Sequence, residues 1–221
     1  MFIAFRRAGA AEPAGGKHFA ARRTAAPIGY DNWVHHGRPT DPQHFGANCG
    51  ARVQLRIPDG DSRERVVCDA CKTIHYRNPV VVAGAIPEWE DRILLCKRAI
   101  EPRYGTWTLP AGFMELGETT AAAAARETLE EASARVEITD AFSLLSVPYV
   151  SQVHVFYRAR LLDLDFSPGT ESLEVALFRE EDIPWQELSF RTVITTLRQY
   201  FEDRRSGTWR FHAGEVAPHA P

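Results

Sequence analysis

Two periods of apolar and polar residues organise the middle of the chain. Residues 80–86, Val-Val-Val-Ala-Gly-Ala-Ile, make a β-branched apolar run that reads as a buried strand. Polar residues 87–91 interrupt it, and residues 92–98 predict a second strand, so that the two form a hairpin. Thr119 or Thr120 can N-cap the helix that follows, and the five alanines at 121–125 give it high propensity with little bulk. Small side chains of this kind suit a helix pressed closely onto a sheet. Beyond it, residues 136–138, 141–147, 152–162 and 171–178 predict strands, the third alternating through Val153, Val155, Tyr157 and Ala159. Ser167-Pro168-Gly169-Thr170 is a turn, and residues 192–201 predict an amphipathic helix on Val193, Ile194, Leu197 and Phe201. From residue 204 the pattern is lost, which predicts a tail. Strands on both sides of one helix, with a second helix after them, indicate a layered α/β or α+β domain.

The first helix carries an unusual charge pattern. Positions three and four apart share a helix face, so Glu127, Glu130 and Glu131 crowd one side, spread over roughly 100°. Ala122, Ala125, Leu129, Ala132 and Val136 fall opposite them and predict the stripe that faces a core. An acidic face is most simply a solvated surface. Three like charges within one turn nevertheless destabilise an isolated helix, and a bound divalent cation removes that penalty. Hard oxygen ligands suit Mg²⁺ or Mn²⁺.

Composition narrows the class without naming it. The 221 residues allow one or two domains, and the formal net charge of −3 argues against a general nucleic-acid binder. No apolar run approaches the roughly 20 residues that cross a bilayer, so no membrane partner is expected. Residues 1–40 hold six Lys/Arg against two acids and no sustained period, which reads as a disordered extension. An organellar transit peptide is the other reading of so Arg-rich a leader, against an otherwise cytoplasmic expectation. His35 and His36 in this segment read as surface residues.

The cysteines point to a metal clip. Cys49-Gly50 is followed by Cys68-x-x-Cys71, close to the separation of the two knuckles of a zinc ribbon. The first knuckle is incomplete, because Gly46 stands where its other cysteine is needed. Cys49, Cys68 and Cys71 remain, with His44 as a conceivable fourth ligand; a metal-free relic is the competing reading. Zn²⁺ held here is expected to be structural. Cys96, inside the second predicted strand, reads as a small buried hydrophobe.

At residues 112–134 the sequence resembles the Nudix hydrolases. Gly112, Glu118, Arg126, Glu127, Glu130 and Glu131 match the family's box at every spacing, whereas Thr128, Ser133 and Ala134 depart from it. A glycine just past a helix usually supplies a left-handed cap, so either the helix runs on through Ser133 or the turn there is strained. The resemblance implies an α/β Nudix α/β/α sandwich over residues 79–203. A small zinc-ribbon-like domain at 41–78 precedes it and a tail at 204–221 follows. With Ile74-His75-Tyr76-Arg77-Asn78-Pro79 as linker and Trp107 to Glu115 leading into the box, the chain is similar to the zinc-ribbon subgroup, which includes proteins acting on ADP-ribose and FAD.

The resemblance implies a metal-dependent pyrophosphohydrolase for a small-molecule nucleotide. Glu127, Glu130 and Glu131 would hold Mg²⁺ or Mn²⁺, with the Gly112 carbonyl as a further ligand. Arg126 would orient a carboxylate, and Glu118 would support that network or reach a metal through water. Glu130 or Glu131 could act as general base, as could Glu171 after the Pro168-Gly169 turn, with Glu174 second. Arg98 and Arg103 could contact phosphates, and Tyr104, Phe113 or Tyr149 could stack on a base. An NADH diphosphatase is a close alternative, although the SQPWPFP-type array of that group is replaced by Ser-Val-Pro-Tyr-Val-Ser-Gln-Val at 146–153. A non-catalytic nucleotide-binding module is the reading from another class. Many members of the family dimerise, and the resemblance allows a homodimer.

Overall fold

The computed structural model describes residues 4–6 and 43–218. These fall into two compact units, residues 43–79 and residues 4–6 with 80–218. The expected extension at 1–40, with His35 and His36, lies outside the described residues except for 4–6. In chain order the strands are β1 (Ala4–Arg6), β2 (Val53–Arg56), β3 (Arg65–Cys68), β4 (Ile74–His75), β5 (Val80–Trp89) and β6 (Arg92–Arg98). They continue with β7 (Trp107–Thr108), β8 (Ala111–Phe113), helix α1 (Thr120–Ala132), β9 (Val136–Val147) and β10 (Gln152–Leu161). Last come β11 (Ser172–Phe178), helix α2 (Arg191–Ser206) and β12 (His212–Glu215).

The smaller unit is an antiparallel sheet in the order β2-β3-β4. The larger unit is one mixed sheet in the order β1-β11-β6-β5-β10-β9-β12, with β7 on β6 and β8 on β5. The predicted hairpin is present, with Glu88 opposite Ile93 and Trp89 opposite Arg92. β5 runs on through Pro87, Glu88 and Trp89, so the polar break shrinks to a turn in which Glu90 has φ 55°.

Strand alternation assigns one helix to each face of the sheet. Ile86, Ile93, Leu95 and Phe178 pack with Val193, Leu197, Tyr200 and Phe201 of α2. On the other face Ala83, Ala85 and Ala159 meet Ala123 and Ala124 of α1, while Leu94, Cys96, Val175 and Leu177 pack with Ala132 and Ala134. The alanine-to-alanine contact lets the helix axis approach the strands closely. This is the expected α/β sandwich.

The orientation of α1 differs from the sequence expectation. Its buried arc comprises Ala123, Ala124, Thr128, Glu131 and Ala132, whereas Leu129, assigned to the core stripe, is 52% exposed. Val136 belongs to β9 and not to the helix. Close approach to the sheet admits only Ala and Thr beneath the axis, so Leu129 is turned out and the acidic edge is turned in. Thr128, in place of an aliphatic, is fully buried and donates its hydroxyl to the Ala124 carbonyl at 2.7 Å.

Thr119 is the N-cap, its side chain accepting from the Ala122 N–H at 3.1 Å. Ser133 is the C-cap at φ 51°, ψ 21°, its N–H donating to the Leu129 carbonyl. The helix therefore stops at the box position lacking a glycine, and an L-residue takes the left-handed conformation at a cost of about 1–2 kcal/mol. Ser133→Gly is expected to stabilise the protein by about 0.5–1 kcal/mol after the entropy of glycine is subtracted, measured by chemical denaturation.

The residues read as a patternless tail are ordered by one buried carboxylate. α2 continues to Ser206 and ends on Gly207 at φ 68°. Asp203, with no exposed surface, accepts from His212 Nε2 at 2.8 Å and from the Arg210 N–H at 2.9 Å. These bonds hold the segment that becomes β12, paired in parallel with β9 from His212–Ser143 to Glu215–Ser146. At the opposite edge β1 pairs antiparallel with β11, Phe5 opposite Val175. No helix among the described residues is long and apolar enough to cross a membrane.

Candidate active site

Three carboxylates of the box gather around Arg126 of α1. Its guanidinium donates to both oxygens of Glu118, at 3.1 and 2.7 Å, to Glu127 Oε1 at 2.7 Å and to Glu130 Oε2 at 3.0 Å. A fifth bond runs to the Phe113 carbonyl at 3.1 Å. One arginine thus fixes three carboxylates and the end of β8. The bidentate bond from Arg126 holds the Glu118 carboxyl below its ordinary range, and Glu118 also accepts from the Glu115 N–H. Glu118 acts on the loop geometry before the helix.

Gly112 lies where any other residue would collide with this network. A Cβ built on it would overlap the Glu127 carboxylate. β8 is positioned by its pairing with β5, Gly112 opposite Ala83. Gly84 needs to be a glycine for a related reason: its Cβ would fall 2.7 Å from the Pro110 carbonyl oxygen and 2.8 Å from the Phe156 ring.

Glu131 is the most perturbed carboxylate. It is 8% exposed, and its Oε2 is buried with no hydrogen-bond partner. Burial, reinforced by the like charges of Glu127 and Glu171 and opposed by Arg98, pushes its acid up to about 8. Glu127 is also raised, mainly by burial, against the pull of Arg126. Glu130 is the exposed member of the three. A buried, partnerless carboxylate oxygen beside a second raised carboxylate is the donor set expected of a hard divalent cation. The residues present therefore fit Mg²⁺ or Mn²⁺.

Glu171 joins this cluster through the turn before β11. The Gly169 N–H donates to the Glu131 carbonyl at 2.9 Å, the Ser167 N–H to the Ala132 carbonyl at 2.9 Å, and the Glu171 carbonyl accepts from the Ala99 N–H at 2.8 Å. The exposed Glu171 side chain faces Glu127 and Glu131 electrostatically. The sequence offers Glu171 as the glutamate after the Pro168-Gly169 turn, but the contact of Gly169 with the last turn of α1 is tertiary and lies beyond it. Glu174, the second choice for the base, pairs with Lys97 at 3.9 Å.

Arg98 is brought to the same place. Burial lowers its pKa, while Glu131, Glu171 and Glu101 oppose that effect. Its Nε donates to the Pro102 carbonyl at 2.9 Å, and its guanidinium lies 5.1 Å from the centre of the Phe190 ring. It is a fixed counter-charge to the acidic cluster. Arg103 sits in the following turn at φ 69°, its carbonyl accepting from Thr106. Tyr149 lies in a short 3-10 turn and is 49% exposed, as are Tyr104 at 58% and Phe113 at 44%. Cys96 is fully buried as expected, its thiol pushed up by burial and then by Glu131.

In the smaller unit the thiols of Cys49, Cys68 and Cys71 lie within 4.8 Å of one another, with Cys49 and Cys68 sulfurs 3.4 Å apart. This cluster fits a structural metal. His44, the conceivable fourth ligand, is exposed and lies outside that group, its carbonyl accepting from the Val53 N–H. A histidine assigned only to the linker, His75, has its Nε2 buried without a hydrogen-bond partner. Its position four residues after Cys71 was the available signal.

Comparisons with known proteins agree with this geometry. The family model for the Nudix N-terminal zinc ribbon matches residues 44–77, and that for the NUDIX domain matches residues 78–197. An ADP-ribose pyrophosphatase from Methanocaldococcus jannaschii is 31% identical over 113 residues, 49% of this chain and 67% of its own length. A NAD-capped RNA hydrolase NudC from Vibrio vulnificus is 28% identical over 159 residues, 68% of this chain and 56% of its own length. The chain thus spans about half to two thirds of these relatives. The crystal structure of a NUDIX hydrolase from Nitrosomonas europaea matches with a TM-score of 0.77 and 55% identity, over 79% of this chain and 99% of that one.

Proposed function

The chain belongs to the zinc-ribbon Nudix hydrolases, and from that premise we propose a divalent-metal-dependent pyrophosphohydrolase. It cuts the diphosphate of a nucleoside diphosphate joined to another moiety, with ADP-ribose and FAD as the favoured substrates. The observation that carries this reading is the Glu131 carboxylate, buried and with one oxygen unpartnered. Glu127, Glu130 and Glu131 would hold Mg²⁺ or Mn²⁺, and the Gly112 carbonyl would be a further ligand. The cation, when bound, neutralises phosphate oxygens and makes water a better nucleophile near neutral pH.

The chain's own residues supply orientation and proton transfer. Arg126 fixes Glu127 and Glu130 against rotation and so keeps the donor set preorganised. Glu171 takes the proton of the attacking water. The support for this role is its exposed carboxylate beside Glu127 and the buried Glu131, on a turn tied to the end of α1. Arg98 limits the repulsion between Glu131 and Glu171. Arg103 and Tyr149 are the proposed substrate contacts, to phosphate and base. Glu171→Gln is expected to slow turnover by roughly 10²-fold with divalent-cation affinity unchanged. Equal losses in rate and affinity would make Glu171 a ligand instead.

A second reading, cleavage of a dinucleotide such as NADH, draws support from the Vibrio vulnificus relative. The test is a substrate panel of ADP-ribose, FAD, NADH and nucleoside triphosphates with Mg²⁺ or Mn²⁺. Highest kcat/KM on ADP-ribose or FAD supports the first reading. A preference for NADH moves the assignment to the second, and a preference for triphosphates rejects both.

A further inference from the structure

The two knuckles of the smaller unit are built on the same backbone frame. In the second, the Cys68 N–H donates to the Thr73 carbonyl at 2.9 Å and the Lys72 N–H to the Cys68 carbonyl at 2.9 Å, with Lys72 left-handed at φ 61°. In the first, the Gly46 N–H donates to the Ala51 carbonyl at 2.8 Å and the Gly50 N–H to the Gly46 carbonyl at 2.9 Å, with Gly50 at φ 69°. Gly46 therefore stands where Cys68 stands, and Cys49 where Cys71 stands. A Cβ built on Gly46 would lie 3.5 Å from the Cys68 Cβ, so this position abuts the second knuckle.

What faces the vacant side-chain position is His75. Its Nε2 lies 3.3 Å from the Gly46 Cβ position, and it is buried with no hydrogen-bond partner. Its backbone is fixed in β4, opposite Val66 of β3. A buried imidazole nitrogen without a partner is costly, and it asks for a donor, a water or a metal. Tetrahedral zinc with bonds of about 2.0–2.3 Å places its ligand atoms about 3.3–3.8 Å apart. The 3.4 Å between the Cys49 and Cys68 sulfurs already meets that spacing.

We propose that His75 Nε2 is the fourth ligand of a zinc site completed by Cys49, Cys68 and Cys71, the imidazole entering the space that Gly46 leaves open. The ring nitrogens of His75 are not within the 4.8 Å mutual spacing of the thiols. Ligation therefore turns the ring about its side-chain bonds, and the absence of a side chain on Gly46 gives it room. The thiols release their protons to solvent on binding. The site is Cys₃His, closed and structural, and it is independent of the hydrolase reading.

The test compares the full-length protein with His75→Ala and with the double variant Gly46→Cys/His75→Ala. Zinc content and affinity are measured against a chelator, and the absorption spectrum is recorded after Co²⁺ replacement. The native chain is expected to hold about one zinc per chain. His75→Ala should bind more weakly by more than the roughly 10–100-fold lost when only a ligand's outer support is removed. The double variant should regain tight binding, with its Co²⁺ bands at longer wavelength because a fourth thiolate is a weaker-field ligand than imidazole. Unchanged affinity in His75→Ala would overturn the proposal. So would native and double-variant Co²⁺ spectra that coincide, or a native chain that binds no metal. If His75→Ala fails to fold, the two remaining spectra still decide.

Discussion

Glu131→Gln is expected to reduce turnover by roughly 10³-fold or more while the protein stays folded. The substitution removes charge and almost no volume, so the packing of α1 against the sheet is untouched. What it removes is the carboxylate with an unpartnered buried oxygen, the group with most to gain from a bound cation. It also changes the pH dependence of the metal-free protein. With a folded-state pKa of about 8 against an ordinary 4.5, the folded chain retains a proton that the unfolded chain has released. Unfolding therefore releases protons between those values. The stabilisation from Glu131 is complete below about pH 4.5 and is lost as pH rises toward 8, on the order of a few kcal/mol. Chemical denaturation in a chelator across pH 5 to 8 should show stability falling in the native protein and a flatter profile in Glu131→Gln. Mg²⁺ or Mn²⁺ should oppose the fall, because cation affinity rises as the carboxyl ionises. Indistinguishable slopes would mean that Glu131 does not set this pH dependence.

Gly169→Ala should be the most damaging substitution outside the acidic cluster. The added Cβ would overlap the Glu130 carbonyl oxygen and lie 2.9 Å from the Glu130 carbonyl carbon and 3.1 Å from that of Glu131. These are backbone atoms of the last turn of α1, so no side chain can yield. Either the helix end or the turn must move, and the Gly169-to-Glu131 hydrogen bond is lost with it. Overpacking of this kind costs roughly 3 kcal/mol, which in a protein of this size lowers Tm by about 6–12 °C. Because Glu171 follows two residues later, activity should fall beyond what the lost stability explains, even at temperatures where the variant is folded. Gly214→Ala is the control, since its Cβ would meet only Leu145 Cδ2 at 3.9 Å, and it should stay within about 0.5 kcal/mol of the native protein. A Gly169→Ala variant as stable and active as the control would break the link between this turn and the site.

The features that match the structure best are those set within a few residues, and those that depend on distant packing match least. The 92–98 strand and the Thr119 cap follow from alternation and side-chain chemistry within a few residues. The box spacing placed Arg126, Glu127 and Glu130 in one network, because a helix fixes relative positions by its own geometry, and Glu118 joins them from the preceding loop. The direction in which that helix faces is a property of the sheet beneath it. Apolarity favoured Leu129 for the core, but a sheet lined by Ala83, Ala85 and Ala159 brings small residues of the helix beneath its axis, and Leu129 is displaced to solvent. The C-terminal residues failed for the opposite reason. Their order comes from the polar contacts of Asp203, which hydrophobic periodicity does not register. His75 was read as part of a linker because its relation to Gly46 exists only after the ribbon has folded.

The proposed divalent-cation site at the acidic edge of α1 should drive cleavage of a pyrophosphate only when the cation is present. The most direct measurement follows ADP-ribose by ³¹P NMR in the presence of the purified protein, first with a chelator and then with excess Mg²⁺ or Mn²⁺. The predicted result is an unchanged pyrophosphate signal in the chelator, replaced after the cation is added by two phosphomonoester signals. Tight binding of ADP-ribose with its pyrophosphate intact in saturating cation would rule out the proposed hydrolysis and favour a nucleotide-binding module. A rate indifferent to the chelator would contradict the metal assignment itself.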